Sequence, residues 1–394
     1  MSSVAAPERA GTASALARCV GDPSAFLETT WGRRAVVHQG VDPNGFQDLL
    51  GFDDVDRIVS TTSIRTPAFR LVKAGEQIPE SAYTRSGTTG SRLVTGMADP
   101  ARIAELFRGG ATIVLQGLHR YWEPVGRFVR DLEIELGHAC QVNAYITPPG
   151  AQGLPLHDDP HDVLVLQAFG RKGWEVHAAP DETEREPIHA AVASGDSIYM
   201  PKGTPHAAAA QEAVSGHLTV GIHVASWRDV LAKAWKRIER RPVLDEPLPA
   251  GWTRDPQGFA HALGERLTLA SEELREIDAE ELAEDHAVAF LSTRAPLLRG
   301  VLTEQHELGR IDDATVLERR PGSVCELRAK GDHLFALLGD RRLEMPAWLE
   351  PAMRRIAGSP SVAVTDLADT IPDPASRVVL ARRLVREGLL RPLR

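Results

Sequence analysis

The sequence predicts an α+β protein whose central part is a small antiparallel barrel or double-sheet jelly roll. Three observations support this fold class. Short β-type segments separated by Gly, Pro and Asp occupy residues 141–224, helical periodicity dominates after residue 227, and short strands mix with helices after residue 321.

The composition limits the class of protein. A chain of 394 residues with 43% hydrophobic residues exceeds what one compact core usually holds, so two or three domains are expected. A net charge of -9 argues against overall attraction to nucleic acid or to an anionic membrane. The apolar run 163–168 is far too short to span a membrane, and residues 1–12 lack the basic-then-apolar order of a signal peptide. Three scattered cysteines without C-x-x-C spacing fit a reducing compartment, which predicts a cytoplasmic protein.

The N-terminal third is predicted as mixed helix and strand. Helical spacing at 14–29 predicts a short helical lead-in. The β-branched content rises from 57 to about 72, as in the run 58–62, and the Gly-rich stretch 85–92 indicates a mobile loop. Helices are predicted at 101–108 and 121–136, with an apolar strand at 111–115 between them in the sequence.

The barrel strands follow from short β-type runs bounded by turn residues. We predict them at 141–146, 163–169, 173–177, 196–200 and 217–224.

Beyond the barrel the pattern changes to helices. They are predicted at 228–240, 260–269, 271–291 and 295–308, with a proline-rich linker at 241–256. After Pro321-Gly322, strands at 324–327 and 332–338 combine with helices at 346–357, 364–368 and 374–388, an arrangement similar to a winged helix. The predicted domain ranges are therefore 1–225, 226–320 and 321–394.

The most informative motif is His157-Asp158-Asp159 within the barrel region. On an extended strand, His157 and Asp159 point the same way, so one segment supplies two ligands. His206, presented by a strand that runs into a Gly/Pro turn, is the best candidate for the third. Two imidazoles and one carboxylate on one face of an Fe(II) ion leave three positions open for other ligands.

Alternatives remain at this stage. A His-x-Asp tripeptide also occurs by chance, and other histidines compete as ligands: His161, His177, His189, His217 and His223.

Lys172 is the candidate partner of a cosubstrate carboxylate. A buried ammonium is costly unless an anion pairs with it, and the far carboxylate of 2-oxoglutarate would provide one. The alternative is that Arg171-Lys172 forms a solvated hairpin turn. Asn143, Tyr145 and Thr219 can donate further hydrogen bonds to such a ligand, or can be ordinary barrel residues.

These residues lie in segments that resemble a known family. The stretches 143–157, 159, 162–174 and 195–206 are similar to the ribosomal oxygenases, the cupin-4 branch of the JmjC Fe(II)/2-oxoglutarate oxygenases, and the chain looks like a bacterial member. Residues 26–36 resemble the N-terminal segment of that family.

The resemblance implies a site and an architecture. It implies Fe(II) at His157, Asp159 and His206, and 2-oxoglutarate held by Lys172 in a pocket lined by Tyr145, Asn143 and Thr219. It further implies a JmjC double-stranded β-helix, a helical dimerisation domain and a C-terminal winged helix in a homodimer.

The chain departs from the family pattern at Asp158 and Pro160-His161, which replace aromatic or hydrophobic residues beside the ligands. We expect substrate contacts next to the metal to differ there.

Three functions compete. The first is hydroxylation of a His or Arg side chain of a ribosomal protein. The second is the same chemistry on a peptide or a small metabolite. The third is a non-catalytic metal-binding or DNA-binding regulator, suggested by the basic tail, although a charged helix face is usually only solvated. The tail residues are Arg377, Arg382, Arg383, Arg386, Arg391 and Arg394.

Overall fold

A computed structural model describes residues 14–40, 42, 44–151, 155–178, 186–210 and 212–393. The chain divides into two compact units, Met1–Val224 with Arg320–Gly322 and Ala225–Arg319 with Ser323–Arg394. The expectations for residues 1–12 and for Arg394 fall outside the described residues. Among the described helices, none is long and apolar enough to cross a membrane.

The first unit contains five helices and thirteen strands within its described residues. The helices are α1 (Ala15–Val20), α2 (Pro23–Thr29), α3 (Phe52–Thr61), α4 (Pro100–Arg108) and α5 (Glu123–Leu136). The strands are β1 (Val36–His38), β2 (Phe69–Lys73), β3 (Glu76–Gln77), β4 (Thr84–Thr89), β5 (Arg92–Ala98), β6 (Thr112–Leu115), β7 (Ala139–Thr147), β8 (Asp162–Phe169), β9 (Arg171–Val176), β10 (Ile188–Ala193), β11 (Ser197–Met200), β12 (His206–Ala210) and β13 (Ser215–His223).

Two sheets form the centre of this unit. The larger sheet has the order β1-β11-β8-β13-β7-β6-β2-β3, and the smaller has the order β10-β9-β12. Strand β8 is buried on both faces, which explains its nearly continuous apolar sequence. Its even-numbered residues Leu164 and Leu166 pack in the core that includes α1 and α5, whereas Val163 and Val165 pack against Trp174 and Val176 of the smaller sheet. The larger sheet therefore has helices on one face and the smaller sheet on the other.

Strand β9 follows the alternation expected of a half-buried strand. Lys172, Trp174 and Val176 are buried, while Arg171 and Glu175 are exposed. All five barrel strands predicted from the sequence are present, and the α+β class with a double-sheet core is confirmed. Strands β10 and β12 were not predicted, because Ala-rich segments carry little β-propensity of their own.

Two predictions for the N-terminal third were wrong. The β-branched run at 58–62 lies in and just after helix α3, because Val55, Ile58 and Val59 have helical spacing and face the core. The stretch 85–92 belongs to the β4-β5 hairpin rather than a loop. The helical lead-in is confirmed, and it consists of two helices, separated where Gly21 adopts a positive φ of 76° and Asp22 caps α2.

The second unit begins with four helices. These are α6 (Trp227–Ile238), α7 (Pro256–Arg275), α8 (Ala279–Leu291) and α9 (Val301–Glu307). The predicted break after residue 269 is wrong: α7 continues to Arg275, and α8 starts after Asp278, whose carboxylate accepts from the backbone N–H groups of Glu280 and Glu281. Helix α9 is shorter than the predicted helix at 295–308.

The remainder of this unit combines six strands and two helices within the described residues. The elements are β14 (Val316–Arg319), β15 (Glu326–Lys330), β16 (His333–Leu337), β17 (Arg342–Pro346), α10 (Glu350–Gly358), β18 (Ser361–Ala363), α11 (Pro374–Arg386) and β19 (Leu390–Pro392). They form two three-stranded sheets, β18-β14-β19 and β15-β16-β17, and share one core with α10 and α11. The predicted helix at 364–368 is a short 3-10 turn, Val364–Leu367.

The two-sided burial of β8 makes a stability prediction. Leu166 is fully buried at 0% exposure, whereas Leu93 on β5 is 70% exposed. We expect Leu166→Ala to lower the free energy of unfolding of the first unit by about 2–5 kcal/mol, because it leaves a cavity. Leu93→Ala should stay within about 0.5 kcal/mol of the parent. Chemical denaturation measures both, and equal effects would contradict the assigned position of β8.

Candidate metal centre and its cavity

Two backbone hydrogen bonds join the segment of His157 to the start of β12. The N–H of His157 donates to the carbonyl of His206 at 3.1 Å, and the N–H of His206 donates to the carbonyl of His157 at 2.8 Å. This antiparallel bridge holds the two rings 4.4 Å apart, measured between their centroids. The bridge therefore places two histidines that are distant in sequence side by side.

The two imidazoles are oriented by the same kind of contact. Nδ1 of His157 lies 2.8 Å from the carbonyl oxygen of Pro155, and Nδ1 of His206 lies 2.9 Å from that of Thr204. A carbonyl can only accept, so each Nδ1 carries the proton in this hydrogen bond. The lone pair of each Nε2 is then free for a metal ion.

Asp159 completes a group of three possible ligands. One ligand atom each from His157, Asp159 and His206 lies within 4.8 Å of the others. A carboxylate oxygen of Asp159 is 3.7 Å from Nε2 of His206. Burial lowers the pKa of His206, and the neighbouring His157 lowers it further, so this imidazole is neutral and able to coordinate.

The competing histidines do not join this group. Over the part of the chain that the structure describes, no other three His, Cys, Asp or Glu side chains meet the same distance limit. This holds for each of the alternatives considered from the sequence, namely His161, His177, His189, His217 and His223.

A cavity of about 270 Å³ opens beside the three ligands, between the two sheets. Antiparallel pairing aligns the residues of β7 and β13 that line it: Thr219 lies opposite Asn143, and His217 opposite Tyr145. All three residues predicted to line the pocket, Asn143, Tyr145 and Thr219, are in its wall. The smaller sheet contributes Lys172 and Trp174.

Lys172 is buried in this cavity with only 2% of its surface exposed. Its Nζ donates to Oγ1 of Thr147 at 3.1 Å and lies 3.5 Å from Nδ1 of His217. Burial lowers its pKa from 10.5 to about 8. The solvated-turn alternative is therefore wrong. In the described part of the chain no carboxylate pairs with this ammonium, so an anionic ligand would complete its environment.

The cavity extends along β9 from the ligand group to Lys172. His206 lies opposite Val176 in the β12-β9 pairing, and Lys172 is four residues away along β9. At about 3.3 Å per residue, the backbones of Val176 and Lys172 are roughly 13 Å apart. The ammonium of Lys172 can lie closer to the ligand group than this, because the lysine side chain is long. Trp174 lies between them on the same face of the strand.

His217 is a cavity residue whose place the sequence did not indicate. Its ring stacks on Tyr145 with centroids 5.2 Å apart and meets the edge of Trp174 at 5.3 Å. Burial, and then the Lys172 ammonium, hold its pKa well below the usual range. The ring is therefore a neutral wall of the lysine site. The only sequence signal was its alternation with Thr219 on one strand.

Arg70, Thr112 and Thr147 were also missed. Thr147 connects Lys172 to Thr112 through hydroxyl groups 3.2 Å apart. The pKa of Tyr145 is raised, chiefly by burial, and the positive charge of Arg70 opposes this rise. Arg70 and Thr112 come from β2 and β6, and only the sheet order brings these early strands beside β7.

The two places beside the ligands where the sequence departs from the family pattern, Asp158 and Pro160-His161, have different surroundings. Asp158 is exposed and is not among the residues that line the cavity. His161 does line the cavity, and its ring packs directly over Gly221, where a β-carbon would come within 2.7 Å of it.

Known proteins share this fold and these segments. A JmjC domain model matches residues 123–230. Ribosomal oxygenase 1 from Gallus gallus is 26% identical over 229 residues, covering 54% of this chain and 37% of that protein. Ribosomal oxygenase 2 from Mus musculus is 27% identical over 323 residues, covering 72% of this chain and 65% of that protein.

A solved structure extends the likeness to nearly the whole chain. The Escherichia coli ribosomal oxygenase YcfD superposes with a TM-score of 0.52 at 18% identity, covering 94% of this chain and 98% of that one. At this identity the superposition demonstrates a shared fold.

The barrel with its two-histidine, one-carboxylate group and its buried lysine is that of a JmjC domain. Over the stretches given above, the chain is similar to ribosomal oxygenases 1 and 2. It spans 37% of the length of the chicken relative, so the relative has extensive sequence outside the match.

The buried ammonium predicts an unusual stability change. With its pKa lowered from 10.5 to about 8, holding Lys172 charged in the folded protein costs on the order of 3 kcal/mol at pH 7. We expect Lys172→Met to raise the free energy of unfolding of the ligand-free protein by about 1–3 kcal/mol at pH 7, less than the full cost because the bond to Thr147 is lost.

The gain should depend on pH in a defined direction. Between pH 8 and pH 10.5 the folded lysine loses its proton while the unfolded lysine keeps it, so the parent becomes more stable as pH rises. The advantage of Lys172→Met should therefore shrink over this window. Chemical denaturation at several pH values measures it, with the exposed Lys202→Met as the matched control. A constant difference across pH would contradict the buried-charge assignment.

Proposed function

We propose that the chain is an Fe(II)- and 2-oxoglutarate-dependent oxygenase that hydroxylates a His or Arg side chain of a ribosomal protein. One observation carries this proposal: a group of two imidazoles and one carboxylate shares a cavity with a buried ammonium that pairs with no carboxylate among the described residues. This pair of features suits a cosubstrate that chelates a metal with one end and presents a carboxylate at the other.

The residues of the cavity have distinct roles in this proposal. His157, Asp159 and His206 hold Fe(II), with both imidazoles fixed as Nδ1–H tautomers by backbone carbonyls. Lys172 binds the far carboxylate of 2-oxoglutarate, and Thr147 orients its ammonium. Fe(II) and 2-oxoglutarate, when bound, supply the oxidising chemistry that places one atom of dioxygen on a substrate C–H bond.

Tyr145, Asn143 and Thr219 line the space between these two anchors. The ring of Tyr145 stacks on His217, with the two centroids 5.2 Å apart. The side chain of Asn143 accepts from the N–H of Gly117 at 3.0 Å, which fixes its amide. These contacts make the polar groups of the wall rigid, and we infer that they direct the cosubstrate toward the metal.

The comparisons support this assignment. YcfD, which shares the fold, has been solved in complex with cobalt and 2-oxoglutarate and with cobalt and succinic acid. The ribosomal substrate is inferred from the names of the relatives. A peptide or a small metabolite is the alternative substrate, and the assay below distinguishes them.

The third candidate, a DNA-binding regulator, depended on the basic tail. In the structure four of these arginines make contacts within their own unit. Arg377 pairs with Asp313 at 2.6 Å, Arg391 with Glu318 at 2.7 Å and Arg383 with Glu387 at 2.7 Å. Arg382 donates to the carbonyls of Gly309 and Ile311. These contacts support a structural role for the tail, and we propose that residues 321–394 form a winged-helix-like domain without nucleic-acid readout.

We also propose that the chain forms a homodimer through the helical domain, residues 226–320. Helix α6 carries Trp227, Leu231 and Trp235 at 81%, 61% and 45% exposure, spaced four residues apart on one face. A second copy would bury this stripe. A cytoplasmic location is proposed on the ground that, in the described part of the chain, Cys19 and Cys325 are free thiols.

The central test of function measures turnover and product together. Purified protein with Fe(II), 2-oxoglutarate and ribosomal proteins should release succinate and add one oxygen atom to a His or Arg of one ribosomal peptide, as detected by mass spectrometry. His206→Ala should reduce both to background because it removes a ligand. His189→Ala, an exposed histidine on β10, is the control and should retain turnover.

The outcomes separate the parts of the proposal. Undiminished succinate release by His206→Ala would contradict the ligand assignment. Succinate release without an added oxygen on any ribosomal peptide would contradict the ribosomal substrate and favour the peptide or metabolite alternative.

The dimer is tested by mass in solution. We expect the parent to sediment at twice the chain mass, and the double variant Trp227→Ser with Leu231→Ser to sediment as a monomer, because it removes the apolar stripe. Leu302→Ser, at an 84% exposed position on α9, is the matched control and should remain dimeric. A monomeric parent would contradict the proposal.

A further inference from the structure

The turn between β2 and β3 packs against the residue that orients His157. This hairpin has a two-residue turn, Ala74-Gly75, between the paired residues Lys73 and Glu76. Ala74 has a φ of 51° and Gly75 a φ of 85°. Two positive φ values in a two-residue loop are the geometry of a type I′ turn, which glycine adopts easily and alanine does not. The turn is thus held in a conformation that costs energy at Ala74.

Gly75 makes its close approach to Pro155. A β-carbon placed on Gly75 would lie 2.7 Å from Cδ and 3.1 Å from Cγ of the Pro155 ring. The ring is tied to the backbone at two points, so it cannot rotate away as the end of a flexible side chain would. The absence of a side chain at position 75 therefore allows the turn and Pro155 to touch.

The carbonyl of Pro155 is the group that accepts from Nδ1 of His157 at 2.8 Å. It fixes the tautomer and the direction of this imidazole, and so the direction of Nε2. The corresponding carbonyl for His206 belongs to Thr204, which follows β11 within the barrel. For His157, the described neighbour that packs on Pro155 comes from the far edge of the larger sheet, where β2 and β3 lie.

We propose that the Ala74-Gly75 turn is a positioning element for the metal site: it packs on Pro155 and thereby keeps the Pro155 carbonyl where it orients His157. Gly75 is a positioning residue, because it acts on the metal only through Pro155 and His157. This inference depends on the proposed function insofar as His157 is a metal ligand.

The test measures affinity for Co²⁺ alone, by absorption titration of the full chain, so that it needs neither cosubstrate nor turnover. We expect Gly75→Ala to weaken Co²⁺ binding about tenfold, the lower end of the range for losing an outer contact to a metal ligand. Gly90→Ala is the matched control. Gly90 also has a positive φ, 61°, in the turn of the β4-β5 hairpin, but a β-carbon there would meet nothing within 4 Å. Gly90→Ala should therefore bind Co²⁺ with the same affinity as the parent.

A double variant separates positioning from general destabilisation. Pro155→Ala removes the ring atoms that a β-carbon at position 75 would meet, while it retains the carbonyl. We therefore expect Gly75→Ala with Pro155→Ala to bind Co²⁺ more tightly than Gly75→Ala alone, although both carry the same backbone strain. If Gly75→Ala does not fold, Pro155→Gly loosens the carbonyl with the turn intact, and it should weaken Co²⁺ binding.

The results discriminate clearly. Parent-like affinity in folded Gly75→Ala, parent-like affinity in Pro155→Gly, or no recovery in the double variant would overturn the positioning role. A parent that binds no Co²⁺, or that binds it equally well after His157→Ala, would instead overturn the metal site itself.

Discussion

The antiparallel bridge between His157 and His206 is the constraint on which the site depends. Its two backbone hydrogen bonds bring together segments almost fifty residues apart, and two carbonyls then set both rings as Nδ1–H tautomers. Without the bridge, Asp159 would have one histidine beside it in the same segment, and a three-ligand face would not form. Strand β8, which is buried on both faces, provides the rigid support that this ligand geometry requires.

The charge of the cavity is the second organising feature. Lys172 lies among threonine, tyrosine, histidine and tryptophan side chains, and in the described residues no carboxylate pairs with its ammonium. A protein selected only for stability would have an apolar residue there. The cost of the buried ammonium is therefore evidence for an anion that binds at this position, and the neutral state of His217 keeps a second positive charge away from it.

The sequence predicted the site better than it predicted the N-terminal elements. His157, Asp159 and Lys172 were found because a period-two strand and a costly buried cation are local signals, and the Gly/Pro turn before His206 is another. The sequence did not reveal the roles of four other features: His217, Thr147, Arg70 and the Gly75 contact. Each of them depends on which strands pair, and this pairing is set by the whole sheet. The β-branched run at 58–62 was misread because helical spacing of Val55, Ile58 and Val59 outweighs local propensity.

We propose that one cavity binds a metal at His157, Asp159 and His206 and a carboxylate at Lys172. A crystal structure with Mn²⁺ and N-oxalylglycine, an unreactive analogue of 2-oxoglutarate, tests it most directly. We expect one anomalous peak in contact with Nε2 of both histidines and with the Asp159 carboxylate, and the far carboxylate of the analogue on Nζ of Lys172. A metal bound by other histidines, or an analogue whose far carboxylate lies away from Lys172, would contradict the account.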